Sequence, residues 1–443
     1  MSFASLGLDS ALLHAIAEQG FTAPTPVQVQ SIPAILNGGD VQAAAHTGSG
    51  KTAAFALPLL QRLLTSTLSA RSPEVVVLAP TRELATQIGE VFRSFSRTIP
   101  QPIKIVTATG GVSINPQMLS LRGSVHVAIA TPGRLLDLVE HNAIKLSAVN
   151  TLVLDEADRM LDLGFADELQ RVLTLLPKQR QNLLFSATFP EEIQKLSAQL
   201  LHQPILIQLA QDNTQAPSIQ QRAIVVDEAK RTPLLRHLLH SEHWSRALVF
   251  VATKYATEHV ADKLRRNHIS AAALHGELSQ GARTQALSDF KLGQIQVLVA
   301  TDLAGRGIDI EQLPVVVNYD LPRSTDDYVH RIGRTARAGA SGIVVNFISN
   351  ESEAHFRLIE KRQKIRLARE QIVGFEPSAV TAAGIPTDQD GGIKGKRKSK
   401  KDKLRATAAS KSDSSTAQSD QAVLPKVSFI WPSKPIRKDN QPK

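Results

Sequence analysis

Thr151-Leu152-Val153-Leu154-Asp155-Glu156-Ala157-Asp158 is an apolar run that ends in three carboxylates within four positions. A run so rich in Val and Leu is expected as a strand buried on both faces of a parallel sheet, and open α/β sheets bind ligands at the C-terminal tips of such strands. Carboxylates crowded there repel one another, so a bound cation would keep them ionised. An isolated D-E-x-D reads more simply as an acidic turn opening a helix, favoured by the helix dipole. A phosphate-binding loop elsewhere in the chain reverses that preference.

Such a loop stands upstream. The short apolar run 41–45 is followed by His46-Thr47-Gly48-Ser49-Gly50-Lys51-Thr52 and then by a helical pattern reaching Leu64. This is a Walker A pattern with Ala45 in place of its first Gly. Gly48 and Gly50 let backbone N–H groups turn toward phosphate, Lys51 reaches the β and γ oxygens, and Thr52 offers a hydroxyl to Mg²⁺.

Working outward, apolar runs at 41–45, 74–79, 103–109, 125–130, 151–154 and 182–185 alternate with helical patterns, which predicts a doubly wound parallel sheet. Polar groups follow the strand ends: Pro80-Thr81-Arg82-Glu83, Gly110-Gly111, Thr131-Pro132-Gly133-Arg134, the carboxylates, and Ser186-Ala187-Thr188. Any one of them could be a helix cap. Five on one sheet edge suggest a working surface. Before the loop, Pro24 and Pro26 bar a continuous helix through Gly20-Phe21-Thr22-Ala23-Pro24-Thr25-Pro26-Val27-Gln28, so Gln28 opens a new one that runs through Ile35.

Around 208–218 the pattern breaks into Gln, Asp, Asn, Thr and Pro, the expected linker. A second series of strands follows at 223–226, 247–251, 271–274, 297–300, 315–318 and 343–348, without a Walker A loop. It carries Thr301-Asp302-Leu303-Ala304-Gly305-Arg306-Gly307-Ile308-Asp309 after a strand and His330-Arg331-Ile332-Gly333-Arg334-Thr335-Ala336-Arg337 near its end. Arg331, Arg334 and Arg337 recur every third residue and would share one face of a helix, which without a nucleotide site nearby reads as a solvated basic face. The expected organisation is an α/β unit over 1–207, a linker over 208–218, a second α/β unit over 219–375 and a tail over 376–443.

The net charge of +10 sits mainly in that tail. Residues 385–443 carry 14 Lys and Arg against 6 Asp and Glu, so all but two of the excess positive charges lie there. Its basic stretch 394–403 and its Ser/Ala/Thr/Gln stretch 406–421 cannot support a core, which predicts a disordered, basic tail attracted to polyanions or simply solubilising. The absence of cysteine excludes disulfides and Cys-ligated zinc and suits a reducing cytoplasm. The N-terminus lacks the pattern of a signal peptide, and no apolar run approaches the roughly 20 residues of a membrane span, so a soluble cytoplasmic chain is expected, with no membrane partner.

Taken together, these segments resemble the DEAD-box family of ATP-dependent RNA helicases in superfamily 2, in the family's order over residues 3–350. Phe3 with Gly20 to Gln28 resembles the Q motif, Ala45 to Thr52 motif I, and Asp155 to Asp158 the D-E-A-D itself. Ser186 to Thr188 resembles motif III, and Thr301 to Asp309 and His330 to Arg337 resemble motifs V and VI. The resemblance implies two RecA-like domains, with ATP and Mg²⁺ between them and single-stranded RNA running across both. It further implies that Gln28 reads the adenine edge, Phe21 stacks on the ring, and Ala45, His46, Thr47, Gly48, Ser49 and Gly50 surround the phosphates, with no separate role for His46. Lys51 and Thr52 would hold phosphate and Mg²⁺, Asp155 would hold the ion through water, and Glu156 would orient or deprotonate the attacking water. Arg334 and Arg337 would act as arginine fingers and Asp309 would contact the ribose. Asp158, Ser186 and Thr188 would link hydrolysis to closure, with His330. Thr81, Arg82, Gly110, Gly111, Thr131, Arg134, Thr301 and Gly305 would meet the RNA backbone largely without regard to sequence.

Two departures stand out, Ala336 where the family usually has Gly and Gly305 where Ala is common; little change in mechanism is expected from them, with the affinity of domain closure the property they could alter. The tail resembles those of bacterial RhlE-type helicases, which implies added nonspecific RNA affinity and partners in ribosome assembly or RNA decay. A DNA helicase of superfamily 2 and an ATP-controlled RNA clamp remain alternatives. A degenerate scaffold is disfavoured because Lys51, Glu156 and Arg334 are all present.

Overall fold

The structure is a computed structural model that describes residues 2–45, 48–64, 72–208, 219–305, 313–335 and 341–378. Seven strands form the first sheet: β1 (Val41–Ala44), β2 (Val75–Leu78), β3 (Ile105–Ala108), β4 (Val127–Ala130), β5 (Thr151–Asp155), β6 (Gln181–Ser186) and β7 (Ile205–Gln208). Their order is β3-β4-β2-β5-β6-β1-β7, parallel throughout. The second sheet comprises β8 (Ile219–Val225), β9 (Ala247–Phe250), β10 (Ala271–Leu274), β11 (Val297–Ala300), β12 (Val315–Asn318), β13 (Gly342–Ile348) and β14 (Arg369–Glu370). It runs β10-β11-β9-β12-β13-β8-β14, again parallel.

The strand period explains why both sheets are sandwiched. Val75, Val77 and Val153 point into one apolar cluster, while Val76, Leu78, Leu152 and Leu154 point into another on the opposite face. In the second sheet, Val297 and Val299 likewise face one cluster and Leu298 and Ala300 the other. Strands that must bury both faces cannot show a polar alternation, and these do not. No helix among the described residues is long and apolar enough to cross a membrane.

Three features differ from the sequence expectation. The helix bearing Gln28 spans Pro26–Leu36, because Pro26 suits the first helical position and Thr25 precedes it as cap residue. Strands β7 and β14 were not anticipated. In β7, Ile205 and Leu206 are 44% and 60% exposed on a sheet edge, and β14 has only two residues and no apolar period. Third, the helix Thr325–Ile332 ends before Arg334, which lies in the turn that follows, so Arg331 and Arg334 do not share a helix face. Both are fully buried, which also removes the solvated basic face. The linker residues 209–218 and the tail from 379 lie outside the described residues, while Lys230 still reaches the Glu376 carbonyl and Ser378 bonds Asp227.

Candidate active site

The phosphate loop is built by backbone geometry. Beyond β1, the Ala45 N–H donates to the Ser186 carbonyl at 2.9 Å, tying the loop to the end of β6. Gly48 and Gly50 adopt φ +81° and +87°, which L side chains rarely do, and Gly50 caps the helix Lys51–Leu63. A Cβ on Gly50 would also lie 2.5 Å from Gln28 Nε2. Gln28 is fully buried: its Nε2 donates to the Gly50 carbonyl at 3.1 Å and its Oε1 accepts from the Thr25 N–H at 2.9 Å. The segment named for adenine reading is thereby fastened to the loop named for phosphate. Phe21 rests against Phe95 at 5.9 Å between ring centroids and is 41% exposed, leaving ring surface open. His46 and Thr47 lie outside the described residues.

At the tip of β5, Asp155 is fully buried, and Glu156 has φ 53° and ψ 53°, a left-handed conformation for a non-glycine residue. Such strain costs about 1–3 kcal/mol and gathers at functional sites. Lys51 Nζ lies 3.1 Å from Asp155 Oδ1 and 3.8 Å from Glu156 Oε1. Burial would lower the Lys51 pKa, but Asp155 and Glu156 outweigh it and raise it, so the lysine remains a cation. Burial raises that of Asp155 against the pull of Lys51. Among the described residues, neither Asp155 carboxylate oxygen nor Lys51 Nζ has an aligned hydrogen-bond partner. One ammonium against two carboxylates leaves excess negative charge in a buried site. Oxygen donors of this kind, with the Thr52 hydroxyl at the helix start, fit a hard divalent cation accompanied by phosphate.

Asp158, Ser186 and Thr188 bond one another. Asp158 Oδ2 accepts from both the N–H and the Oγ1 of Thr188, each at 2.9 Å. Ser186 Oγ donates to the Thr188 carbonyl at 2.8 Å and accepts from the Asp158 N–H at 3.2 Å, closing a ring of bonds between the tips of β5 and β6.

Along the same edge, Thr81 caps the helix Arg82–Ser96, accepting from the Leu84 N–H. Arg82 lies against Gly111, whose φ of +72° and missing Cβ admit the guanidinium. The Gly110 N–H approaches Thr131 Oγ1 at 3.4 Å. Arg134 points inward, donating to the Val112 carbonyl at 2.8 Å, and so supports the glycine loop from beneath.

From the second sheet, the Thr301 carbonyl accepts from the Gly305 N–H at 2.7 Å. A Cβ on Gly305 would stand 2.6 Å from the Phe250 ring, which gives the Gly at this position a packing reason. Arg331 grips Asp302 with two bonds of 2.6 and 2.7 Å, donates to Asn318 and to the Asp320 carbonyl, and stacks on Phe250. That employs its guanidinium in holding the second sheet's tips together. Burial lowers the His330 pKa, with Arg334 and Lys51 acting the same way and Glu156 and Asp158 of the first unit opposing them, which favours the neutral ring. Asp309 and Arg337 lie outside the described residues. One pair went unread in the sequence: Arg283 and Glu83, 2.8 Å apart and joining the two units. Their separation along the chain leaves no local signal.

The DEAD/DEAH box helicase model matches residues 25–196, and the helicase conserved C-terminal domain model matches residues 230–339. Saccharomyces cerevisiae Dbp5 bound to RNA and ADP BeF3 is 32% identical, with a TM-score of 0.73 over 84% of this chain and 95% of that one. This chain belongs to the DEAD-box helicase family. The DEAD-box chain is also 38% identical to the ATP-dependent RNA helicase DeaD of Escherichia coli K12, over 85% of its own length and 59% of the relative's. The DeaD helicase of Mycobacterium tuberculosis H37Rv is 40% identical over 85% of this DEAD-box chain and 66% of the relative. The chain therefore spans about three-fifths to two-thirds of the length of these curated relatives.

Proposed function

We propose that this DEAD-box chain is an ATP-dependent RNA helicase that hydrolyses ATP to ADP and phosphate in an RNA-stimulated manner and locally unwinds short duplexes or remodels RNA–protein complexes. The observation that carries this reading is that Lys51, Asp155 and Glu156 of the first unit meet in a buried site whose charges act on His330 of the second. Each domain alone holds only part of it. The family relationship and the RNA-bound relative support RNA as the strand.

In this reading Lys51, now paired with Asp155, would hold the β and γ oxygens of ATP, and Asp155, through water, would hold Mg²⁺ with Thr52. Bound there, Mg²⁺ supplies neutralisation of charge on the phosphate oxygens. Glu156, held out of the helix by its left-handed backbone, orients the attacking water and receives its proton. Gln28 and Phe21 select adenine, and Gly48, Ser49 and Gly50 present backbone donors. Arg334, with Arg337, neutralises charge that develops on the transferred phosphoryl, and Asp309 holds the ribose. Asp158, bonded to Thr188, and neutral His330 report the state of the site across the cleft. Thr81, Arg82, Gly110, Gly111, Thr131 and Thr301 hold the RNA backbone, with Arg134 and Gly305 shaping the surface behind them.

Glu156→Gln keeps the shape and removes the base. It is expected to retain ATP and RNA binding and to lose about 10²- to 10⁴-fold in RNA-stimulated turnover, measured as phosphate release. Hydrolysis near the wild-type rate would sink this assignment.

A further inference from the structure

The second unit carries an aromatic pair on its surface that has no part in the roles above. Of the chain's three tyrosines, Tyr328 is fully buried and Tyr319 bonds Thr232, while Tyr255 is 74% exposed. Tyr255 stands in the first turn of the helix Lys254–Arg265, and one turn on His259 lies nearly parallel to it, with 5.7 Å between ring centroids and 14° between planes. The other face of the tyrosine ring stays open, a flat apolar surface kept in water at a cost.

The position of this ring is set by its own unit. Thr253 caps the helix, accepting from the Ala256 N–H at 3.1 Å, and Lys254 pairs with Glu277 in the loop after β10. β9, which leads into the helix, lies beside β11: the Val251 N–H donates to the Ala300 carbonyl at 3.0 Å, and Thr301 follows Ala300. Tyr255 therefore stands at the same strand-tip edge as Thr301, to which a grip on the RNA backbone is assigned above.

The helix face that continues from Tyr255 suits a nucleic-acid strand. His259 and Lys263 follow at intervals of four, so the three side chains share one exposed side, while Val260, Ala261 and Leu264 are buried on the other. The acids of this helix are already engaged: Glu258 bonds His275 at 3.0 Å, and Asp262 pairs with Arg266 at 2.8 Å. An open ring beside the Lys263 ammonium can take a base on its π face and a phosphate on the cation.

We infer that Tyr255, backed by His259, is a stacking platform that takes a nucleobase of the RNA single strand as it leaves the strand-tip surface, with Lys263 holding the phosphate beyond. The platform rests on the RNA-helicase reading above and adds a contact with the bases to a grip on the backbone. Every nucleobase has a π face, so the platform accepts any sequence. In a duplex those faces are occupied by neighbouring bases, so it favours a separated strand over a paired one.

The test is the affinity of the full chain for a labelled single-stranded oligouridylate, by fluorescence anisotropy with a non-hydrolysable ATP analogue present. Tyr255→Ala is expected to weaken binding about fivefold or more, and Tyr255→Trp to retain it. Stacking neutralises no phosphate, so the slope of log affinity against log salt should be the same for Tyr255→Ala as for wild type, whereas Lys263→Gln should make it shallower by about 0.7. A strand of the same length with abasic sites keeps the backbone and lacks the bases. Wild type and Tyr255→Ala should bind that strand alike, which a structural defect would not give. Tyr255→Ala that binds oligouridylate as wild type does, or that loses the same factor on the abasic strand, overturns the platform alone. An unchanged salt slope for Lys263→Gln overturns the phosphate contact. A wild type that fails to bind oligouridylate overturns the helicase reading and the platform with it.

Discussion

His330 shows how a single side chain takes its properties from the opposite sheet. Asp326 and Asp327 stand four and three residues before it, yet the acids that act on it are Glu156 and Asp158, and burial prevails over them to keep its pKa below the ordinary value of 6.5. The unfolded chain then takes up a proton near pH 6.5 that the folded chain refuses. The stability owed to neutral His330 is complete above that pH and is lost as pH falls below it. The difference in unfolding free energy between wild type and His330→Asn is therefore expected to shrink, or change sign, between pH 7.5 and 5.5 in urea titrations; a difference independent of pH would rule this out. Residue types were readable in advance at this scale: Gly50, Lys51, Asp155 and Glu156 could each be named from chemistry and spacing. Their present partners could not, since Gln28 meets Gly50 and Lys51 meets Asp155 only after helix and strands pack.

At the scale of elements, the strands with an apolar run were legible because burial on both faces leaves Val and Leu at every position. The two strands that were missed fail that rule for opposite reasons. β7 is an edge with every side chain but that of Ile207 exposed, and β14 is held by ions instead of apolar contacts. Arg222 of β8 bonds Glu370 with its Nε and Nη2, while Arg369 bonds Glu353 and Glu360 and stacks on Phe356. Glu360 is buried and keeps its bond from the Leu367 N–H, so Arg369→Ala removes its counter-ion in addition to loosening β14. The expected loss is about 1–3 kcal/mol of stability in the second unit, read from urea denaturation followed by Trp244, which is buried in that unit's core. Unchanged stability would mean that Glu360 finds water or another donor. The misread arginines belong to this scale too: a three-residue spacing suggested a helix face, but the helix stops at Ile332 and buries Arg331 against Asp302.

For the molecule as a whole, the excess positive charge lies away from the residues proposed to do the chemistry. The 14 Lys and Arg of residues 385–443 contrast with a nearly balanced remainder. Truncation after Ser378 keeps the Ser378–Asp227 bonds and removes those charges. It is expected to weaken RNA binding several-fold at low salt and little at high salt, with a shallower slope of log affinity against log salt, while RNA-stimulated ATPase is preserved. Loss of basal ATPase on truncation would mean that the removed residues support the folded units.

The two parallel sheets, the phosphate loop, the acids at the tip of β5 and the family were legible in the chain because each depends on local spacing: period-two burial, glycines at forced dihedrals, carboxylates just past a strand. Tertiary structure alone decided the partnerships. Gln28 with Gly50, Asp158 with Thr188 and Arg283 with Glu83 join residues 22, 30 and 200 positions apart. Nothing in a chain records such distances in advance; they arise when apolar faces bury one another and carry polar side chains into contact.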